Sequence, residues 1–537
     1  MNRRTTVFAL ILLLAPIGLT AQSDAERVGE IFARWNTPSS PGCAVGVARA
    51  GQPILEVAYG MSDLEYGIAN TPESIFEGGS LSKQFTAAAV VLLALDGALS
   101  LTDDVREYVP EIPDYGSTIT LKHLMTHTSG LRDWGSVAAI SGWGREQRSH
   151  THDHVVDILS RQTALNFEPG HEYSYSNSGY NLLAVIVARV SGQSFADFSR
   201  ERIFEPLGLE DTQWRDDYRR LVPGRTTAYN ANSDGSWRIN RPIEFVHGNG
   251  GILSTVRDLS VWNAALTDGR LGGPEFVRMM HDPAILNDGS PIRYAGGLVI
   301  ADLGGVPNVT HTGATAGYRA FLGRYPEQDL SVAMLCNASN VSTGGLGSAV
   351  ARVFLGDAVQ DPVAARAVSV PAERLQAYSG LYRDPVNGQT RILRVVNGRL
   401  QDGGTVLTPL SEERFQVAAG PRYYDFQDGP GGRLMFRIDS WEYSDQRFEQ
   451  VDPWQPSSAE LARLVGEYHS ADAETSFTVS LDGDRLMLWR RPGVVAPLTP
   501  VYPNAFRSGG RILRFESDRM RLSVARVYDM VFEKKRD

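Results

Sequence analysis

The sequence reads FEGGSLSKQFT over residues 76–86, and an uninterrupted apolar run, AAAVVLLAL, follows over residues 87–95. The two glycines indicate a turn, and the apolar run predicts a buried helix that begins near Ser80. Residues three apart share a helix face, so the Lys83 amine is expected beside the Ser80 hydroxyl. A serine hydroxyl becomes a nucleophile when a neighbour takes its proton, and a desolvated lysine can be that neighbour.

Composition is that of a large globular protein. The chain has 537 residues, which predicts two to four domains. Its hydrophobic fraction of 42% and charged fraction of 21% are ordinary for folded proteins and argue against general disorder. The net charge of −10, without a basic cluster, argues against nucleic acid as a partner.

The first residues have the parts of an export signal. Residues 2–4 include two arginines, residues 7–14 form an apolar core, and small residues end at Ala21. A single-span anchor is the alternative, but the apolar core is shorter than the roughly 20 residues that a bilayer requires. We therefore predict a signal peptide over residues 1–21, no stable membrane span after its cleavage, and a periplasmic or secreted protein.

Hydrophobic patterning predicts a mixed domain over residues 22–358. A sheet begins it, helices interrupt the sheet over about residues 99–242, and further strands close it, with helices on the faces. The expected strands cover residues 42–48, 54–59, 297–301, 308–311, 318–325 and 330–336.

The remainder of the chain, from residue 359, has a different hydrophobic pattern. A predicted linker, residues 359–372, precedes short alternating strands with Asn-Gly, Asp-Gly and Gly-Gly turns. A repeat at a spacing of about 86 residues predicts two similar β-units, residues 373–453 and 454–537, each a small barrel or half of one. The alternative is one irregular β-domain in which the repeated positions match by chance. The repeated positions are Leu375, Gly380, Tyr382, Gly398 and Leu400, then Leu461, Gly466, Tyr468, Gly483 and Leu486.

Two further motifs follow the first in the chain. Tyr175 and Asn177 stand in EYSYSNSG, ahead of a predicted helix, and His311 and Gly313 stand in VTHTGATAG, within a predicted strand. Together with Ser80 they supply a hydroxyl, a phenol, an amide and an imidazole from distant parts of the chain.

The three motifs resemble those of the serine β-lactamase, DD-peptidase and esterase superfamily, on its class C side. That family carries Ser-x-x-Lys, Tyr-x-Asn, and Lys-Thr-Gly or His-x-Gly, in the order met here. The resemblance covers about residues 24–358 and implies an α/β (α+β) β-lactamase-like fold. This fold has an antiparallel sheet flanked by helices and an all-helical subdomain; C-terminal all-β units, expected as small barrels, would follow it.

The resemblance also implies a role for each motif residue. Ser80 would attack a carbonyl carbon and become acylated, while Lys83 and Tyr175 share the acid and base work. A cationic amine near the phenol is expected to lower the phenol's pKa. The expected oxyanion donors are the backbone N–H groups of Ser80 and Ala314. The expected substrate-binding residues are Asn177, His311, Thr312, Gly313 and Ala314.

His311 departs from the lysine that many family members carry at this position. A histidine is mostly neutral at pH 7 and binds an anion less firmly than a lysine does. The His-Thr-Gly version occurs in DD-peptidase-like and D-aminopeptidase-like relatives, so it argues against efficient penicillin hydrolysis. The glutamate that class A enzymes use for deacylation has no recognisable equivalent in this sequence.

The sequence is therefore interpreted as an exported serine hydrolase that cleaves amide or ester bonds without a cofactor. A DD-peptidase-like or D-aminopeptidase-like peptidase acting on small, cell-wall-derived peptides is favoured, because the layout with two β-units resembles D-aminopeptidases. A carboxylesterase or a weak β-lactamase is the enzymatic alternative. A catalytically inactive scaffold that binds peptidoglycan or penicillin is the non-enzymatic alternative.

Other histidines and the cysteines carry weaker signals. His150, His152 and His154 alternate near an aspartate, but a solvated helix start is favoured over a zinc site, and no metal is predicted. In the family, the first and last sheet strands are antiparallel neighbours, which would bring Cys43 near Cys336. A disulfide between them is one hypothesis, and two buried free thiols are the other.

Overall fold

The computed structural model describes residues 22–360, 367–417, 422–440 and 443–536. The predicted signal peptide lies outside the described residues, as does part of the predicted linker. Within the described ranges, no helix is both long and apolar enough to cross a lipid bilayer.

A six-stranded antiparallel sheet forms the centre of the first domain, with the strand order β3-β4-β5-β6-β1-β2. Strands from both ends of the domain sequence meet in it, because β1 pairs with β6 along its full length. This confirms the prediction that the first strands of the sheet come early in the domain sequence, that helices follow them, and that the remaining strands come last. The strands are β1 (Cys43–Arg49), β2 (Gln52–Tyr59), β3 (Val299–Leu303), β4 (Val306–Thr315), β5 (Tyr318–Tyr325) and β6 (Leu330–Cys336).

Helices cover the sheet and build a separate helical layer around α2 and α6. Twelve of the fourteen residues of α2 are buried, as its apolar composition predicts. The helices are α1 (Asp24–Phe32), α2 (Ser82–Leu95), α3 (Leu121–Met125), α4 (Trp134–Ile140), α5 (His152–Ser160), α6 (Asn177–Ser191), α7 (Phe195–Ser199), α8 (Glu205–Leu207), α9 (Val256–Asp268), α10 (Gly273–Met280), α11 (Thr343–Leu355), α12 (Ala372–Tyr378) and α13 (Ser458–Arg463).

The C-terminal part forms two closed eight-stranded antiparallel barrels, so each β-unit is a complete barrel rather than half of one. Closure removes exposed sheet edges, which explains how so many short strands stay paired. The first barrel contains β7 (Gly380–Arg383), β8 (Thr390–Val396), β9 (Arg399–Asp402), β10 (Thr405–Pro409), β11 (Arg414–Val417), β12 (Tyr423–Asp428), β13 (Leu434–Ser440) and β14 (Tyr443–Val451). The second contains β15 (Gly466–Ser470), β16 (Thr475–Asp482), β17 (Arg485–Arg490), β18 (Val494–Tyr502), β19 (Ala505–Ser508), β20 (Arg511–Phe515), β21 (Arg519–Val524) and β22 (Val527–Lys534).

The repeated sequence positions occupy equivalent places in the two barrels. Gly380 and Gly466 open the first strand of each barrel with φ of 151° and 153°, a conformation that favours glycine. Tyr382 and Tyr468 each donate their hydroxyl to the carbonyl four residues earlier, at 3.1 and 2.9 Å. The same local contacts in both units support a true repeat over accidental echoes.

The second barrel docks on the helical layer of the first domain through a buried ion pair. Arg132 donates to the Asp472 carboxylate at 2.6 Å, and both side chains are almost fully enclosed. Gln162 donates to the main-chain oxygen of Asp472 at 3.0 Å. A buried charge that loses its partner is costly, so this contact strongly favours the docked arrangement over a separated one.

Cys43 and Cys336 form a disulfide that joins the start of β1 to the end of β6. The two residues are register partners in the sheet, and their Cα atoms are 4.0 Å apart. The bridge therefore closes a loop that contains most of the first domain.

We predict that thiol titration of the denatured, unreduced protein finds no free thiol. Reduction should lower the free energy of unfolding by about 2–5 kcal/mol, because the bridge restrains the unfolded chain. A Cys43→Ala/Cys336→Ala variant serves as the control, since reductant should leave its stability unchanged. Two titratable thiols in the unreduced wild type would rule the bridge out.

We also predict that Asp472→Asn destabilises the docked barrel by about 3–5 kcal/mol, because it leaves the Arg132 guanidinium buried without a counter-charge. Chemical unfolding and limited proteolysis around residue 455 would measure the change. Asp518→Asn is the matched control, since Asp518 pairs with Arg536 at an exposed surface, where such pairs contribute about 0–1 kcal/mol. Equal effects of the two substitutions on the free energy of unfolding would contradict the large contribution expected from the buried pair.

Candidate active site

Ser80 lies on a single 3₁₀ turn, Gly79–Leu81, that leads directly into α2. Gly79 has φ of +54°, and a Cβ there would lie 2.7 Å from the backbone nitrogen of Ala314. A Cβ on Gly313 would lie 1.9 Å from the Gly78 carbonyl oxygen. The absence of side chains at these glycines therefore lets the serine turn pack directly against β4.

Lys83 is fully buried one turn after Ser80, and its amine lies 3.2 Å from the Ser80 hydroxyl oxygen. Two acceptors surround the same amine: the Asn177 side-chain oxygen at 3.0 Å and the Asn249 main-chain oxygen at 2.7 Å. Burial, reinforced by the charges of Arg526 and Arg145, holds the pKa of Lys83 well below its usual range. A neutral amine has two N–H donors for these acceptors and a lone pair for the serine proton.

Tyr175 reaches the same point from the loop ahead of α6. Its hydroxyl shares a hydrogen bond with Ser80, and the Lys83 nitrogen lies 4.7 Å from the centre of its ring. Burial raises the pKa of Tyr175 to about 12, although the Ser80 hydrogen bond and the Arg526 charge pull it down. The expectation of a lowered phenol pKa is therefore wrong, because desolvation outweighs the nearby charges. A phenol with a raised pKa keeps its proton near pH 7, so Lys83 is a stronger candidate for the base than Tyr175 is.

Asn177 begins α6 and connects the site to the buried carboxylate of Asp133. Its backbone N–H donates to Asp133 at 2.9 Å, while its side-chain oxygen accepts from Lys83. The Asn177 amide NH₂ has no hydrogen-bond partner within the described ranges and lies at the cleft, where it can meet a substrate carbonyl.

His311 is buried in β4 and hydrogen-bonded on both ring nitrogens. Nδ1 lies 2.6 Å from the Thr312 carbonyl oxygen and must donate to it, so Nε2 accepts from the Tyr294 hydroxyl at 2.9 Å. Burial lowers the pKa of His311 to about 3. His311 is therefore neutral near pH 7, and it offers no positive charge to a substrate.

The edge of β4 borders the cleft. Strand β3 pairs with β4 only as far as Thr310, so residues 311–315 extend beyond that partner. Thr312 and Ala314 are exposed there, and both line the cleft with Ser80. The Ala314 nitrogen lies beside the serine turn, which is where an oxyanion donor is needed.

Sequence reasoning missed four groups that complete the site: Arg526, Arg145, Tyr294 and Asn249. Arg526 lies on the turn between β21 and β22, and its guanidinium carbon is 4.7 Å from the centre of the Tyr175 ring. Arg145 makes two hydrogen bonds to Glu244 at 2.5 and 2.6 Å. None of these residues belongs to a short motif, so only the folded chain identifies them.

Two further histidines of the first domain, His127 and His152, have structural partners. His127 packs 4.2 Å from the Tyr175 ring and accepts from the Ser176 N–H at 3.2 Å, so it helps to hold the catalytic loop. His152 begins α5 and lies 2.9 Å from the His247 carbonyl oxygen. Across the described ranges, no group of three or more His, Cys, Asp or Glu side chains is arranged to hold a metal ion.

The site opens into a cleft of about 2270 Å³ that both barrels help to line. Ser80, Tyr175 and Asn177 line it, and Arg391 and Arg507 are among the barrel residues that also line it. The barrels therefore shape the approach to the reactive serine.

Several known proteins are similar to this chain in sequence. In Bacillus subtilis strain 168, "Penicillin-binding protein 4*" is 30% identical over 307 residues, which are 54% of this chain and 66% of that protein. A D-aminopeptidase of Brucella canis is 30% identical over 305 residues, which are 55% of this chain and 56% of that protein. The matches thus cover less than two thirds of these relatives' own length.

Two solved structures share the fold at low sequence identity. An octameric penicillin-binding protein homologue from Pyrococcus abyssi has a TM-score of 0.56 and 22% sequence identity. The match covers 88% of this chain and 98% of the homologue's chain. D-amino acid amidase from Ochrobactrum anthropi SV3, complexed with D-phenylalanine, has a TM-score of 0.51 and 23% identity, covering 62% of this chain and 98% of its own.

The family described as Beta-lactamase matches residues 30–352, which is more than half of the chain. The match spans the sheet, the helical layer and all three motifs, and it ends before the barrels. This confirms the family and the fold class that the ordered motifs indicate. The chain therefore belongs to the beta-lactamase family.

Proposed function

We propose that this protein is a serine hydrolase that cleaves amide or ester bonds through an acyl-enzyme on Ser80. The observation that carries the proposal is the Lys83 amine, which is buried, depressed in pKa and 3.2 Å from the serine oxygen. A lowered pKa favours the neutral amine, which is the form that can accept the serine proton.

Acylation begins when Ser80 Oγ attacks the substrate carbonyl carbon and its proton passes to Lys83. The backbone N–H groups of Ser80 and Ala314 would stabilise the oxyanion, each contributing about 10²–10³-fold in rate. Tyr175 then donates its proton to the leaving amine or alcohol, and Lys83 returns a proton to the phenol. The C–N or C–O bond breaks, and the acyl group remains on Ser80 as an ester.

Deacylation uses the same groups in reverse. Water attacks the ester carbonyl and passes its proton to the base formed by Lys83 and Tyr175, and Ser80 recovers its proton as it leaves. Asn177 would hold the substrate through its free amide NH₂ while it keeps Lys83 in place. This cycle needs no cofactor.

The proposed substrates are small peptides or amides that contain D-amino acids, with cell-wall material as the natural source. The similarity to a penicillin-binding protein and to D-aminopeptidases supports this class. The neutral His311 argues against firm binding of a β-lactam carboxylate at β4, which makes efficient penicillin hydrolysis the weaker alternative. A signal peptide over residues 1–21 would deliver the enzyme to the periplasm or the medium.

We predict that a fluorophosphonate probe labels the wild-type protein and that Ser80→Ala abolishes labelling. Lys83→Met should slow labelling by about 10²–10⁴-fold, the usual contribution of general-base catalysis. Ser160→Ala is the matched control, because the Ser160 hydroxyl donates a hydrogen bond to the Asp157 carbonyl on α5 and does not line the cleft. Unlabelled but folded wild type would support the inactive scaffold, and label retained in Ser80→Ala would refute the nucleophile.

The lowered pKa of Lys83 predicts the pH dependence of acylation. Only the neutral amine accepts the serine proton, so the labelling rate should rise with pH and reach a plateau well below pH 10.5, the ordinary pKa of a lysine. The measurement is the second-order rate constant for labelling between pH 5 and 10. A rate that keeps rising with a midpoint near pH 10.5 would show that Lys83 is cationic in the resting enzyme.

A further inference from the structure

The turn between β21 and β22 brings one residue of the second barrel into the active site. The main-chain oxygen of Arg526 accepts from the Asn166 side chain at 3.0 Å and from the Asp133 N–H at 3.3 Å. The Tyr528 N–H donates to the Asn166 side-chain oxygen at 2.8 Å. Backbone contacts therefore fix this turn, and the Arg526 side chain is not needed to hold it.

The Arg526 guanidinium faces the cleft beside the reactive groups. It lies over the Tyr175 ring, and it reaches Asp133 only at 3.9 Å, with 40% of its side chain exposed. Asp133 directs its oxygens to the backbone N–H groups of Ser136 and Asn177. Within the described ranges the Arg526 side chain makes no hydrogen bond, so its planar fork of donors is available to a ligand.

Arg526 is a cleft-lining cation that lies directly beside Tyr175. Burial lowers the pKa of Lys83 and lowers that of His311 to about 3, so both side chains favour the uncharged form. Arg145 is engaged by Glu244 through both oxygens of that carboxylate. The cleft as a whole is lined by eight arginines and five carboxylates, although the whole chain carries a net charge of −10. The charge of this cleft is thus opposite in sign to that of the protein.

We propose that Arg526 binds a carboxylate carried by the acyl half of the substrate. Arginine matches a carboxylate with two parallel N–H donors, which makes this the chemistry its fork fits best. The acyl half is indicated because Arg526 and the Asn177 backbone both approach Asp133, and Asn177 is the residue proposed to hold the substrate while Ser80 is acylated. This inference rests on the proposed hydrolase function and narrows its substrates to anionic acyl groups. A free ammonium at the same place would meet a like charge, so an aminopeptidase specificity is disfavoured.

The test compares three D-alanine p-nitroanilides that share one leaving group: the N-succinyl, the N-acetyl and the free-amine compounds. Wild type should have the highest kcat/KM for the anionic N-succinyl substrate and the lowest for the cationic free amine. Arg526→Gln should reduce the N-succinyl to N-acetyl ratio of kcat/KM by roughly tenfold to a hundredfold, the range expected for a charge-assisted hydrogen bond. Arg526→Lys should retain part of the ratio, and Arg526→Glu should shift preference toward the free amine.

Arg485→Ala is the matched control, because Arg485 is an exposed arginine on the same barrel that does not line the cleft. Its ratio should equal that of wild type. An unchanged ratio in Arg526→Gln, or a wild-type preference for the free amine, would overturn the assignment of Arg526. Failure of the probe to label Ser80 in the wild-type protein is a separate result, because it would refute the proposed hydrolase function itself.

Discussion

The site depends on keeping the Lys83 amine out of water. A buried ammonium without a matched carboxylate is costly, and giving up the proton removes most of that cost. The apolar α2 helix supplies the burial, and the Asn177 side chain and the Asn249 carbonyl satisfy the neutral amine. The same desolvation raises the pKa of Tyr175, so the pKa values of the two neighbours shift in opposite directions, as the proposed base and acid roles require.

Close backbone approach is the second requirement. Gly79 and Gly313 let the serine turn and β4 come within a distance that any side chain would prevent. The disulfide between Cys43 and Cys336 joins two adjacent strands, β1 and β6, of the same sheet. The reactive hydroxyl and the β4 edge are therefore held by main chain and packing, which keeps the oxyanion donors in place before substrate arrives.

The second barrel is part of the active site. The Arg132–Asp472 pair is buried at the interface, and the turn that carries Arg526 follows from that docking. A barrel held by a buried charge pair has a defined orientation, because any shift would leave both charges unpaired. Residues of both barrels thus line the cleft that leads to Ser80, Lys83 and Tyr175.

Short-range patterns were enough to locate Ser80, Lys83, Tyr175, Asn177 and His311, because each motif is a local spacing on one helix, loop or strand. The sheet, the helical layer and the repeated β-units of the C-terminal part could also be predicted, because hydrophobic periodicity and an internal repeat in the sequence indicate them. The direction of the Tyr175 pKa shift was mispredicted, because it depends on the balance between desolvation and charge in the folded site. Only the tertiary structure placed Arg526 beside Tyr175, since that contact requires a barrel to dock on helices hundreds of residues earlier in the chain.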